Sequence, residues 1–260
     1  MKGRFLFLGT GGSSGIPMIG CKCNVCQSAS PYNKRLRSAG LIQSQEKNYL
    51  IDVGPDFRAQ ALKYNIDRLS AVLLTHAHAD HIGGIDDLRA YYFLEKKRIP
   101  CFLSQDTFEE VKKRYHYMLQ PIAEGKSLSA QLDFQILTDD FGSFTIDGMG
   151  IDYFSYFQTG TKVTGYRIGN FAYVSDIREY SEEIFKSLNG VETLVLSALR
   201  HTPSKMHFSI EEAIAFSRRA SAKITYLTHI AHDLEYAATN ALLPPEVRMS
   251  YDGLEIPIEL

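Results

Sequence analysis

Short apolar runs alternate along this chain with stretches in which apolar residues recur every three or four positions. The first kind predicts strands over 4–8, 39–43, 48–53, 71–74, 100–103, 132–137, 143–146, 150–157, 162–168, 171–174, 193–196 and 223–227. The second predicts helices over 57–64, 84–95, 107–118, 181–188, 209–220 and 234–241. Ser209 followed by Glu212 reads as a capping-box helix start. Interleaved strands and helices predict an α/β architecture with more than one sheet layer. Residues 142–174 hold several strands with no helix between them, too many for a doubly wound parallel sheet, so antiparallel hairpins are expected. No Pro- or Ser-rich linker, low-complexity tract or evident repeat divides the sequence, which predicts a single domain over 1–260.

Composition narrows the function classes. The 260 residues carry 28 Lys plus Arg against 30 Asp plus Glu, a formal charge of −2, with 45% hydrophobic residues. A disordered chain would lack that apolar content, and binding nucleic acid by overall charge would need a basic surface. No run approaches the ~18 apolar residues of a membrane span. The apolar start at residues 5–8 is too short for an export signal and meets Gly9-Thr10-Gly11-Gly12 at once. It reads as a first strand entering a glycine loop, and a cytoplasmic location is expected.

Two clusters carry chemistry. Cys21, Cys23 and Cys26 fall within six residues, with Cys101 far away. Thiols so grouped suit a tetrahedral zinc better than separate disulfides, which predicts a small zinc-binding loop at 20–27. The denser cluster is Thr75-His76-Ala77-His78-Ala79-Asp80-His81, placed between an apolar strand and the Ile82-Gly83-Gly84 entry to a helix. Imidazoles and a carboxylate at a strand end sit where α/β folds place their sites. His76 and His78 share parity and can face one metal, while Asp80 and His81 are displaced enough to serve a second. A solvated histidine turn is the plain alternative.

The H-x-H-x-D-H motif after an apolar strand resembles the metallo-β-lactamase superfamily. The resemblance extends through the glycine loop 9–15, Ile51-Asp52-Val53-Gly54, Ser175-Asp176 and Thr228-His229. Cys21-Lys22-Cys23-Asn24-Val25-Cys26 and His229-Ile230-Ala231-His232 are similar to the branch of PhnP-like phosphoribosyl cyclic phosphodiesterases. This resemblance implies a four-layer αββα sandwich of two mixed sheets with helices outside. It implies that His76 and His78 bind a first metal, that Asp80, His81 and His229 bind a second, and that Asp176 bridges them. Cys21, Cys23, Cys26 and His232 would hold a structural zinc. His207, in the loop before the capped helix, would donate a proton to the leaving oxygen, a task within a histidine's reach near neutral pH without a large pKa shift. Asp80 joins it in the catalytic set, and Asp52 would orient a ligand histidine. His201 is the weaker candidate for the role of His207, and His116 reads as structural.

One departure stands out. The family supplies a third histidine to the first metal in the region that here reads Tyr156-Phe157-Gln158-Thr159-Gly160. Gln158 or Thr159 occupies that place, and an amide or hydroxyl is a weaker ligand than imidazole. The implied cofactors are Zn2+ in the cysteine loop and one or two catalytic ions, with Mn2+ as the other candidate metal. The expected function is a metal-dependent hydrolase acting on a small cyclic or nucleotide-like phosphodiester. The alternatives are an RNA-processing nuclease of the same superfamily, a relative of the pyrroloquinoline quinone B protein, or a zinc-stabilised binding protein with a degenerate first site. Membrane partners are not expected, nucleic acid is disfavoured, and a homodimer is compatible with the sequence.

Overall fold

The computed structural model describes residues 2–120 and 128–260. Among them, the first sheet comprises β1 (Lys2–Gly9), β2 (Ala39–Ser44), β3 (Lys47–Ile51), β4 (Ala71–Leu73), β5 (Ile99–Ser104), β6 (Leu132–Leu137) and β14 (Glu255–Glu259). The second comprises β7 (Phe141–Ile146), β8 (Met149–Gln158), β9 (Thr161–Ile168), β10 (Phe171–Val174), β11 (Thr193–Ser197), β12 (Ile224–Thr228) and β13 (Val247–Met249).

The apolar runs are nearly continuous because both faces of these sheets are buried. Side chains alternate between layers. Phe5 and Phe7 of β1 enter the core between the sheets, while Leu6 and Leu8 face the outer helices. In β11, Val195 points inward and Leu194 and Leu196 outward. Each such leucine contributes about 1.5–3 kcal/mol of burial. The outer layer over the first sheet includes Phe57 of α2 (Phe57–Lys63), Tyr91 of α4 (Arg89–Glu95) and Val111 of α5 (Gln105–Arg114). Over the second lie Ile184 of α6 (Ile184–Ser187) and Phe216 of α7 (Ile210–Ala220), with Tyr236 of α8 (Tyr236–Leu242) at its margin. Two one-turn helices, α1 (Asn24–Gln27) and α3 (Ala79–Ile82), carry candidate ligands. The result is the expected αββα sandwich, with antiparallel hairpins throughout β7–β10.

The two sheets repeat one pairing scheme. In the first, β1–β2–β3 pair antiparallel and β3–β4–β5–β6 parallel. In the second, β8–β9–β10 pair antiparallel and β10–β11–β12–β13 parallel. An antiparallel edge strand completes each, β14 on β1 and β7 on β8. The sequence shows no such repeat, because the likeness lies in backbone pairing and not in side chains.

Sequence patterning misses β13 and β14. The first is three residues long, and the second alternates polar and apolar around Pro257 at a sheet edge, where proline is tolerated. The helix expected over 84–95 divides into a 3₁₀ turn, Ile85–Leu88, and α4. Residues 107–118 divide similarly, because α5 starts at a Ser104 cap and ends at Arg114 before a 3₁₀ turn. No helix among the described residues is long and apolar enough to cross a membrane.

Candidate metal centres

The chain brings its candidate ligands together at the carboxyl ends of parallel strands from both sheets. Asp52 follows β3, and the 75–81 segment follows β4 and opens α3. Asp176 follows β10, and His229 follows β12. His207 comes from the loop before α7. Three of these residues sit in left-handed backbone: Asp52 at φ 63°, Asp176 at 56° and His229 at 57°. Such positions cost of order 1–3 kcal/mol for a residue with a β-carbon and cluster at functional sites.

Ligand atoms of His76, His81 and Asp176 all lie within 4.8 Å of one another, as do those of Asp80, His81 and His229. Asp176, His207 and His229 form a third such group. His76 Nε2 is 2.9 Å from His78 Nδ1, which places His78 beside the first group. His81 Nε2 stands 3.2 Å from Asp176 Oδ2 and 3.5 Å from Asp80 Oδ2. His229 Nε2 stands 3.2 Å from Asp176 Oδ1 and 3.3 Å from Asp80 Oδ2. His76, His81, Asp176 and His229 are buried, and Asp80 is nearly so.

The surroundings fix these groups. Asp52 takes His81 Nδ1 at 2.7 Å and accepts from the Thr75 amide at 2.8 Å and the Thr75 hydroxyl at 2.9 Å. That turns His81 Nε2 toward Asp80 and Asp176. Ser175 Oγ donates to Asp176 Oδ2 at 2.5 Å. Arg114 of α5 donates to the Ala77 carbonyl at 2.7 Å and ties down the histidine loop. Tyr156 donates to Ser175 O and Tyr166 to Leu74 O, bracing both strand ends. Arg114, Tyr156 and Tyr166 carry no local sequence signal, since each acts on a segment far away in the chain.

The buried carboxylates draw positive charge to this point. Burial opposes charge on His81, but Asp176 and Asp52 outweigh it and hold the imidazole well above its ordinary range. Burial likewise opposes ionisation of Asp176, and His229 and His81 outweigh it and hold the carboxyl well below its ordinary range. Burial pushes His76 down, with the charge of His81 adding to it, so His76 presents the neutral, ligating form. His81 Nε2 is buried without a hydrogen bond despite facing two carboxylates. Nitrogen and oxygen donors converging on such an unsatisfied point fit a metal ion.

At the position of the missing histidine, the two candidates separate. Gln158 ends β8 and is buried, with Nε2 3.2 Å from Asp176 Oδ1 and 3.0 Å from His207 Nε2, while its Oε1 has no partner. Thr159 turns outward at φ 47° and is exposed, so it does not reach the centre. His207 stacks on His229 at 4.8 Å, with Nδ1 3.4 Å from Asp176 Oδ1. Burial pushes its pKa down to about 4, against the partial pull of Asp176. A shift was not needed for the role expected of His207, and its burial favours the neutral imidazole. His116 and His201 are exposed and lie outside these groups.

The second centre joins Cys21, Cys23, Cys26 and His232, whose ligand atoms also lie within 4.8 Å of one another. Both Cys21 Sγ and Cys23 Sγ are 3.4 Å from His232 Nδ1, and no disulfide forms. His232, followed by the Cys26 amide, lowers the Cys23 thiol to about 6. Three sulfurs and an imidazole in a closed set suit zinc.

Comparison with known proteins agrees with this geometry. A family model described as a beta-lactamase superfamily domain matches residues 47–230. The chain is 33% identical to a protein described as a new diphosphatase from the PhnP family, with TM-score 0.91 over 99% of this chain and 98% of that one. Zn(2+)-bound PqqB from Methylobacterium extorquens shares the fold at 18% identity and TM-score 0.77, over 97% and 99% of the two chains. A Porphyromonas gingivalis protein named octanoyltransferase is 32% identical over 98% of this chain, which spans only 52% of that relative.

Proposed function

Because the chain belongs to the metallo-β-lactamase superfamily, we propose that it is a metal-dependent phosphodiesterase acting on a small phosphoryl substrate. The carrying observation is that His81 and His229 each stand within 3.5 Å of both Asp80 and Asp176 at the buried mouth of both sheets. In this reading His76, His78 and Asp176 would hold one ion, and Asp80, His81 and His229, with Asp176 beside them, would hold another. Zinc or manganese suits these donors, and zinc suits the cysteine centre. Bound there, the ions supply Lewis acidity and a water that ionises near neutral pH.

The chain's own residues do the rest. Asp52 keeps His81 in the tautomer and orientation that expose Nε2. His207, beside Asp176, would take a proton from the attacking water at one ring nitrogen and pass it to the leaving oxygen. Gln158 holds His207 in place through its amide. Similarity to a PhnP-family diphosphatase supports a small phosphoryl substrate over a polymer. The octanoyltransferase name belongs to a relative about twice as long and brings no acyl-transfer role to this chain.

The test is hydrolysis of bis(p-nitrophenyl) phosphate by protein loaded separately with Zn2+ and Mn2+, beside His81→Ala and His207→Ala. Turnover lost in His81→Ala and reduced by about 10²–10⁴ in His207→Ala is expected. Absence of turnover with every metal, in protein shown by mass spectrometry to be loaded, would overturn the reading.

A further inference from the structure

His81 and His229 face the same two carboxylates, but they are held differently. Asp52 fixes His81 from behind, at Nδ1. His229 Nδ1 is buried and has no hydrogen-bond partner among the described residues. Its ring stacks on His207 at 4.8 Å and on His81 at 5.7 Å. Stacking sets the plane of a ring and leaves its place within that plane to the backbone. That backbone is left-handed at φ 57°, and such a residue keeps its conformation only where the surroundings over-determine it.

Those surroundings lead to the cysteine centre. The turn His229-Ile230-Ala231-His232 is stiff in its middle. The Ile230 amide donates to the Thr10 carbonyl at 2.9 Å, the Ile230 carbonyl accepts from the Gly12 amide at 3.0 Å, and the Ala231 amide donates to the Leu199 carbonyl at 2.9 Å. A displacement at one end of so short and stiff a turn is carried to the other. The far end is His232, with Nδ1 3.4 Å from Cys21 Sγ and Cys23 Sγ, and with its carbonyl 3.5 Å from Cys23 Sγ. The cysteine loop is itself anchored. Lys34 Nζ donates to the Cys26 carbonyl at 3.1 Å, and Ile16 and Arg35 exchange backbone bonds of 2.8 Å. Gly11 in turn pairs with both Arg37 and Ile230. The loop, the 34–37 stretch, the glycine loop and the turn thus form one closed circuit, and His232 is the link that a metal would close.

We propose that the cysteine centre is the positioning group for His229. Zinc held by Cys21, Cys23, Cys26 and His232 fixes the turn and tightens ion binding at the histidine–aspartate centre. It does for His229 what Asp52 does for His81. The coupling is reciprocal, so an ion at His229 also tightens the zinc. The proposal rests on the metal-binding part of the reading above and not on its phosphodiester chemistry.

Mn2+ tests it, because this ion suits imidazole and carboxylate donors and not thiolates. It reports on the histidine–aspartate centre while the cysteine centre holds Zn2+, and electron paramagnetic resonance measures the free ion. His232→Ala should weaken Mn2+ binding about 10- to 100-fold, the range for partners that orient ligand histidines. His232→Cys offers a fourth thiolate near the place of Nδ1 and should restore the binding. Leu188→Ala, a buried change at the end of α6, should lower the melting temperature and leave Mn2+ binding unchanged. Equal Mn2+ affinity in wild type and His232→Ala, or an equal loss in Leu188→Ala, overturns the coupling. If His232→Ala does not fold, the reciprocal arm decides. Asp80→Asn, a change outside the turn and the cysteine loop, should weaken zinc retention at the cysteine centre by the same factor, measured by equilibrium competition with a chromogenic chelator. Equal retention overturns the coupling. No arm measures turnover, so a protein that shows the coupling and cleaves no ester refutes the hydrolase reading alone. One that binds Mn2+ without the coupling refutes the coupling alone.

Discussion

Asp52 and Asp176 hold opposite nitrogens of one imidazole. Asp52 Oδ2 is 2.7 Å from His81 Nδ1, and Asp176 Oδ2 is 3.2 Å from His81 Nε2. The two carboxylates also occupy matching places in the two sheets. Each follows the strand at which antiparallel pairing changes to parallel, and each sits in left-handed backbone. The centre is therefore built where the two halves of the sandwich present equivalent corners to each other. One corner supplies a carboxylate that orients His81, and the other supplies a carboxylate that would bind an ion in the proposed reading.

Asp52→Asn tests the orienting corner. An asparagine keeps the shape but turns one acceptor into a donor, beside Thr75 and His81 groups that now all meet acceptors. Metal affinity should fall about 10- to 100-fold, as for other orienting partners of ligand histidines. Chelator competition measures it, and unchanged retention would show that His81 is held by packing alone.

Gln158→His tests the departure from the family pattern. The side chain at 158 already reaches within 3.2 Å of Asp176, and imidazole is a stronger donor than an amide. The variant should retain one more ion per chain than wild type after dialysis against a weak chelator. Equal metal content by mass spectrometry would mean that the first site is already filled without an imidazole at this position.

What the sequence discloses follows from where information is local. The run 171–174 reads as a strand because both its faces are buried, and β10 matches it residue for residue. The H-x-H-x-D-H segment and the three cysteines are legible because their spacing alone brings donors together. His207, Asp176 and His229 meet the histidine segment only through tertiary structure, across 95 residues or more, so a family resemblance had to supply them. Gln158 and Thr159 stayed open in the sequence because adjacent positions at a strand end face opposite ways, and only the turn at Thr159 decides between them. The low pKa of His207 was invisible because burial, not neighbouring sequence, causes it.

Cys23→Ser separates the cysteine centre from its local helix cap. Cys23 caps α1 by accepting from the Cys26 amide, a role serine fills well. A fall in stability then reports the lost ligand and not the lost cap. One fewer zinc per chain and a lower melting temperature are expected, because binding free energy at a closed site is folding free energy. An unchanged metal count would remove zinc from this loop.

Asp252 gives a pH prediction remote from the candidate ligands. Its carboxylate accepts from Thr10 Oγ1 and the Leu36 amide, both at 2.7 Å, yet burial outweighs these bonds and raises its pKa from 3.8 to about 6. A raised folded-state value means that the native protein holds this proton more tightly than the unfolded chain. The stability it contributes is full below about pH 3.8 and is lost as pH rises through about 6. The loss is at most about 1.4 kcal/mol per pH unit in that window. Asp252→Asn retains an acceptor for Leu36 and places a donor toward Thr10, but it does not titrate. Urea midpoints at pH 4.5 and 6.5, compared between the two proteins, cancel the other titrating groups. Wild type should lose stability relative to the variant across that interval. Parallel behaviour would mean that Asp252 is already ionised in the native state at pH 4.5, held so by Thr10, Leu36 and the buried charge of Arg35.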